Sequence, residues 1–197
     1  MKNLNTLLIL DKLKNVKIFT TFDFQKIFNI KYQTAKKALL RYTKAGILIR
    51  ARKGIYFLSQ DPPSEFEIAN KLYQPSYISF ESALSFYGII PETIFEITSA
   101  TPKITRNFVV NKLKFSYKKI KNNYFFGYRP EKINKATVLI AEPEKSLLDF
   151  LYFVALKKRS FSYERINLKK INRQKLIKYA KQFKNKKILE LIKNLYD

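Results

Sequence analysis

The sequence predicts an α+β protein in two parts. Three observations lead there. The first sixty residues carry three short helical patterns followed by a β-hairpin pattern. Gln60-Asp61-Pro62-Pro63-Ser64 then breaks the chain, because paired prolines continue neither a helix nor a strand ladder. After the break, strand-like and helix-like segments are mixed. The division is therefore 1–60 and 64–197. Hydrophobic residues make up 46% of the 197 positions and aromatics 15%, enough for packed cores, so the chain is not a disordered basic tail.

In the first part, Leu4, Leu7, Leu8 and Asp11–Leu13 predict a first helix. Thr20-Thr21 offers an N-cap, and Phe22, Phe24, Ile27 and Phe28 follow as a short second helix. Asn29-Ile30-Lys31 is a tight turn. A third helix runs from Gln33 to Ala45, with Ala35, Ala38, Leu39 and Tyr42 on one face and Gly46 at the C′ position. Ile47-Leu48-Ile49 reads as a strand, Ala51-Arg52-Lys53-Gly54 as a turn and Ile55-Tyr56-Phe57-Leu58 as the return strand.

In the second part, Glu65–Leu72 reads as a helix, and Ser79 caps another over Phe80–Tyr87, stopped by Gly88. Thr93–Ala100, Phe108–Tyr117, Asn123–Tyr128 and Ala136–Ala141 carry β-type residues. Pro143 opens a helix that extends to about Lys157. Residues 163–195 read as two or three basic amphipathic helices, a basic tail over about 163–197.

The net charge is +24, and it is unevenly spread. Residues 1–60 hold 13 basic residues against Asp11 and Asp23, while 61–160 hold 15 against 10, and 161–197 hold 11 against 3. A Lys-, Asn-, Ile- and Phe-rich composition follows AT-rich coding sequence and raises lysine. It should raise glutamate as well, yet acids are scarce, so part of the excess points to a polyanionic partner.

Helix, short helix, turn, longer helix and hairpin is the order of a winged helix-turn-helix, which predicts double-stranded DNA as the partner. An α-helix fits the major groove, and its N-terminal side chains reach base edges. Here that end offers Tyr32, Gln33, Thr34, Lys36 and Lys37, with Arg41 a turn further on toward the backbone. Gln33 suits adenine N6/N7; Lys36 and Lys37 suit guanine or phosphate. The hairpin carries Arg50, Arg52 and Lys53, placed to meet phosphates or the minor groove. The plain alternative is a set of solvated lysines on a helix surface.

Three stretches add a resemblance. They are Tyr77-Ile78-Ser79-Phe80-Glu81-Ser82-Ala83-Leu84 with Tyr87-Gly88-Ile89-Ile90-Pro91; Ile97-Thr98-Ser99-Ala100-Thr101; and Ala141-Glu142-Pro143-Glu144-Lys145-Ser146-Leu147-Leu148-Asp149. With the N-terminal elements, they resemble the AbiEi-type antitoxins of type IV toxin–antitoxin systems over about residues 5–160. That resemblance implies an autorepressor that binds inverted repeats in its own operator. It also implies an antitoxin of an abortive-infection, phage-defence pair, set against a nucleotidyltransferase-type toxin encoded nearby. The tail beyond 160 lies outside it. Taken by themselves, Ser79 and Pro143 are a helix cap and a helix start, and Leu147, Leu148 and Leu151 are core. Glu144, Lys145 and Asp149 are then the exposed candidates for an antitoxin surface.

Catalysis finds little to work with. Cysteine and histidine are absent, which removes thiolate metal sites and the commonest general base. No acid has a lysine two residues on, no Asp-x-Asp occurs, and the four glycines are too scattered for a phosphate loop. The expectation is a non-enzyme without metal or cofactor. An RNA or protein adaptor is the remaining class, since Tyr117-Lys118-Lys119 and Asn123-Tyr124-Phe125-Phe126 interleave basic and aromatic residues. Burial of Tyr124 and Phe126 discriminates between core and stacking platform. The N-terminus lacks the length and cleavage residues of a signal peptide, and no apolar run approaches 18 residues, so the expected location is cytoplasmic and off the membrane.

Overall fold

A computed structural model describes residues 5–92, 94–133, 136–159 and 166–197. Leu4, Thr93 and 163–165, which the sequence assigns to a helix, a strand and the tail, lie outside the described residues. The chain is mixed α+β and divides into two compact units, Met1–Leu72 with Val109–Lys112, and Tyr73–Phe108 with Leu113–Asp197. Among the described residues, no helix is long and apolar enough to cross a membrane.

The first unit begins with α1 (Thr6–Leu13), whose N-cap Asn5 accepts the Leu8 amide at 2.8 Å. Strand β1 (Phe19–Thr20) leads directly into α2 (Thr21–Phe28). Of the two threonines, Thr20 is the cap. Its hydroxyl accepts the Asp23 amide at 3.2 Å while Asp23 accepts the Thr20 amide at 2.8 Å, a reciprocal capping box. Asn29 ends α2 in the left-handed region at φ 47°, a conformation asparagine tolerates well. The short turn then delivers α3 (Tyr32–Lys44). Strands β2 (Leu48–Arg52) and β3 (Ile55–Leu58) form the antiparallel hairpin, and the sheet order is β1-β3-β2.

Two details differ from the sequence reading. Strand β1 pairs Phe19 with Tyr56, and at two residues it is too short to show an alternating pattern. Strand β2 runs on through Arg52 by a register shift after Arg50, so the turn shrinks to Lys53-Gly54, with Gly54 at φ +84°. Ile9, Leu13, Phe24, Phe28, Ala35, Leu39 and Tyr42 join Phe19, Leu48 and Leu58 in one buried cluster. The small residues of α3 allow its close approach to α2. Helix α4 (Glu65–Leu72), capped by a Ser64–Glu67 box, belongs to this unit and packs against β2.

The second unit is built on a six-stranded mixed sheet. In chain order its strands are β4 (Tyr77–Ile78), β5 (Glu96–Thr101), β6 (Arg106–Val110), β7 (Leu113–Lys119), β8 (Tyr128–Ile133) and β9 (Ala136–Ala141). Their spatial order is β6-β7-β5-β4-β9-β8, with β5–β7 and β4–β9 parallel and β4–β5 and β8–β9 antiparallel. Helices α5 (Phe80–Phe86), α6 (Pro143–Ala155), α7 (Arg173–Gln182) and α8 (Lys186–Asn194) complete the unit.

The segment read as one strand over Phe108–Tyr117 is two strands, divided at Asn111 and Lys112, which both have positive φ. Asn123–Tyr128 is not a strand. Asn122–Tyr124 is a 3₁₀ turn, and Gly127 at φ +70° holds the chain off the sheet until Tyr128. Its aromatics serve packing instead. Tyr124 is buried and stacks on Phe183 with ring centroids 4.0 Å apart, and Phe126 meets Tyr179 edge-on at 5.2 Å. Neither is arranged as an open stacking platform. The tail forms α7 and α8, preceded by a 3₁₀ turn at Leu168–Lys170.

Candidate functional site

The faces of α3 follow from its sequence period. Ala35, Ala38, Leu39 and Tyr42 turn into the core. Gln33, Lys36, Lys37 and Leu40, spaced by three and four, take the opposite face and are solvent-facing. The β2–β3 hairpin stands beside this face. Together they border a groove of about 420 Å³, lined on one side by Tyr32, Gln33, Lys36, Lys37, Leu40 and Thr43 and on the other by Arg50, Lys53, Gly54 and Tyr56, with Thr21 at the start of α2. Four of these side chains are cationic, one is an amide, and none is acidic. The groove therefore presents a positive potential beside a row of hydrogen-bond donors, which suits a polyanion with polar edges.

The mouth of the groove is shaped by aromatic contacts. Phe22 of α2 lies against Tyr32 at the start of α3, ring centroids 5.0 Å apart, and Lys36 Nζ sits 5.8 Å from the Tyr32 ring. The N-cap residue of α3, Lys31, makes no side-chain cap bond to the first amides of the helix. An N-terminus of that kind favours a negative charge.

The structure brings together six of the nine residues that the sequence points to on this unit: Tyr32, Gln33, Lys36, Lys37, Arg50 and Lys53. Thr34 is not part of the lining. Arg41 folds over the Tyr42 ring at 4.9 Å and donates to its hydroxyl at 3.0 Å. The Arg52 guanidinium donates to the Leu72 carbonyl at the C-terminal end of α4 and so ties the hairpin to that helix. Thr21, Leu40, Thr43, Gly54 and Tyr56 complete the lining and are not among those nine. For Leu40 the signal lies in its spacing from Gln33, Lys36 and Lys37.

The candidates on the second unit are placed differently. Glu144, Lys145 and Asp149 are not a surface: they are 5%, 0% and 0% exposed. Asp149 Oδ2 accepts the Tyr77 hydroxyl at 2.9 Å and the Ser79 hydroxyl at 2.8 Å, and its Oδ1 pairs with Lys145. Lys145 Nζ also donates to the Tyr77 hydroxyl at 2.8 Å and lies 5.3–5.4 Å from the Tyr77, Phe126 and Phe183 rings. Ser79 thus spends its hydroxyl on Asp149 and makes no cap bond to α5. Burial pulls the Lys145 ammonium below the usual lysine range although Asp149 opposes it, and burial beside Asp149 pushes the Tyr77 phenol well above its own.

Glu144 is consumed by the tail. It accepts the Asn172 amide at 3.0 Å, and Lys175 of α7 lies 3.4 Å from it and 2.9 Å from Glu142. Burial acts to raise the Glu142 carboxyl, but the bonds from Tyr179 and Lys175 outweigh it and hold the group below the usual carboxylate range. Among the described residues, no group of three or more carboxylates is placed to hold a metal ion.

No protein-family model matches the chain, and no curated protein matches it. Among solved structures it is similar to the Rv2827c protein of Mycobacterium tuberculosis, with a TM-score of 0.57 and 15% identity, over 88% of this chain and 70% of that one. At such low identity the likeness concerns the fold alone.

Proposed function

We propose that the first unit is a winged helix-turn-helix that binds operator DNA, and that the chain is a transcriptional repressor and not an enzyme. In this reading α2 and α3 are the helix-turn-helix pair, α3 is the recognition helix, and the β2–β3 hairpin is the wing. The observation that carries it is the groove itself: an amide and four cations from two elements meet around one concavity that no acidic side chain among the described residues lines. A major groove takes one helix and leaves its flanking phosphates within reach of a hairpin. Gln33 reads a base edge, Lys36 and Lys37 meet guanine or phosphate, and Arg50 and Lys53 hold the backbone. Selection of binding sites from a random duplex library tests the proposal. The full chain should enrich a defined sequence, and Gln33→Ala should relax one base position at a cost of about 1–3 kcal/mol. Enrichment of no sequence by the parent would contradict operator recognition.

A second role, neutralising a nucleotidyltransferase-type toxin encoded nearby, is proposed on the resemblance of 77–91, 97–101 and 141–149 to AbiEi-type antitoxins. Two of these stretches meet in the buried Tyr77, Ser79, Lys145 and Asp149 network, which gives those residues a structural role in the second unit. The contact surface, if a toxin is touched, must be made by other residues. Co-expression of the full chain with the neighbouring gene product should restore growth; absence of protection removes this role and leaves the repressor.

A further inference from the structure

One residue of the groove does not fit a purely electrostatic interface. Leu40 is 57% exposed and lies on the Gln33–Lys36–Lys37 stripe of α3, among cations and an amide. The core has no use for it there, since Ala38 and Leu39 already face inward. Isolated surface leucines are ordinary. This one lines the same groove as the Tyr32 and Tyr56 rings and stands seven residues beyond Gln33, about 10 Å along the helix axis. On a helix lying along a major groove, side chains that far apart on one face would meet different base pairs.

We infer that Leu40 is a specificity-determining residue that packs on the C5-methyl group of thymine, so that the preferred duplex carries an A·T pair at that position. The inference rests on the DNA-binding reading above and names a part of the sequence which that reading leaves open. The major-groove edge of thymine is the one that offers a methyl group; the other bases offer donors and acceptors. Leucine against those edges displaces water without replacing its hydrogen bonds, which penalises the wrong base as well as favouring the right one.

The test uses the full chain and a duplex that it selects. Each thymine is replaced in turn by deoxyuridine, which pairs identically and lacks only the methyl group. The parent should lose about fourfold in affinity at one position, the amount expected for one buried methyl group. Leu40→Ala, an exposed substitution whose folding is checked by circular dichroism, should show no loss at that position and should keep the parent's salt dependence. The inference is overturned if no deoxyuridine position weakens the parent, or if Leu40→Ala stays as sensitive as the parent. A methyl-blind parent that still binds duplex with a steep salt dependence overturns this inference alone. A parent that binds no duplex overturns the DNA-binding reading with it.

Discussion

Lys145 carries an ammonium group to a place water does not reach, and it is tolerated there because the groups around it are partners of the right kind. Asp149 supplies charge, the Tyr77 hydroxyl accepts a bond, and three aromatic rings face the cation. Removing the lysine alone leaves a buried carboxylate unpaired, so Lys145→Met should destabilise the fold by about 3–5 kcal/mol, while Lys145→Met with Asp149→Leu should recover much of it. Urea unfolding checks this, and a single variant within about 1 kcal/mol of the parent would contradict it. The pH dependence has a definite sign. With the folded-state lysine below its unfolded value of 10.5, the unfolded chain holds the proton more tightly, so this group adds stability as pH rises toward 10.5. The stability difference between parent and Lys145→Met should widen in the parent's favour as pH rises through the alkaline range below the unfolded value. Above that range, ionisation of Tyr77 in the unfolded chain acts the other way. None of this is visible in the linear sequence. A Lys and an Asp four apart near a helix start resemble a solvated surface pair. Tyr77 and Ser79, which enclose Asp149, come from about seventy residues away.

Elements are easier to read from sequence than their partners. The α3 stripe is legible because a period of 3.6 separates Ala35, Ala38, Leu39 and Tyr42 from Gln33, Lys36 and Lys37. Thr20 and Gly54 mark boundaries for local reasons, a cap and a positive φ. Strand β1 escapes a sequence reading because two residues carry no period. The 123–128 segment misleads because aromatic residues favour strands in general but here fill a core. Local capping makes its own prediction: Thr20→Ala removes half of the α2 box and should cost about 1 kcal/mol in thermal or denaturant unfolding. An unchanged midpoint would mean that Asp23 alone holds the turn. The hairpin offers a sharper contrast. Arg52 anchors it to α4 through the Leu72 carbonyl, whereas Lys53 lines the groove. Arg52→Ala should weaken DNA binding without altering its salt slope, and Lys53→Ala should lower the slope by about 0.9 for each phosphate left unneutralised. Equal slopes for both variants and the parent would place neither residue on phosphate.

At the scale of the whole molecule, the basic excess is divided among different tasks. In the first unit it lines a groove, while in the tail Lys175 is drawn onto Glu142 and Glu144, where it fastens α7 to the start of α6. Composition alone cannot separate these, because a count of lysines does not say which of them have acidic neighbours. If repression and antitoxicity are the separate tasks proposed, the full chain carrying Lys36→Ala, Lys37→Ala, Arg50→Ala and Lys53→Ala should bind its operator much more weakly and still restore growth beside the toxin. Loss of both would tie them to one surface. The measurement that bears most directly on the central claim is the affinity of the full chain for duplex DNA as a function of salt, compared with that same fourfold variant. The parent should show a steep logarithmic fall, and the variant a slope shallower by about 0.9 for every phosphate that the four side chains neutralise. Equal slopes for parent and variant, or no binding of duplex by the parent, would contradict the claim.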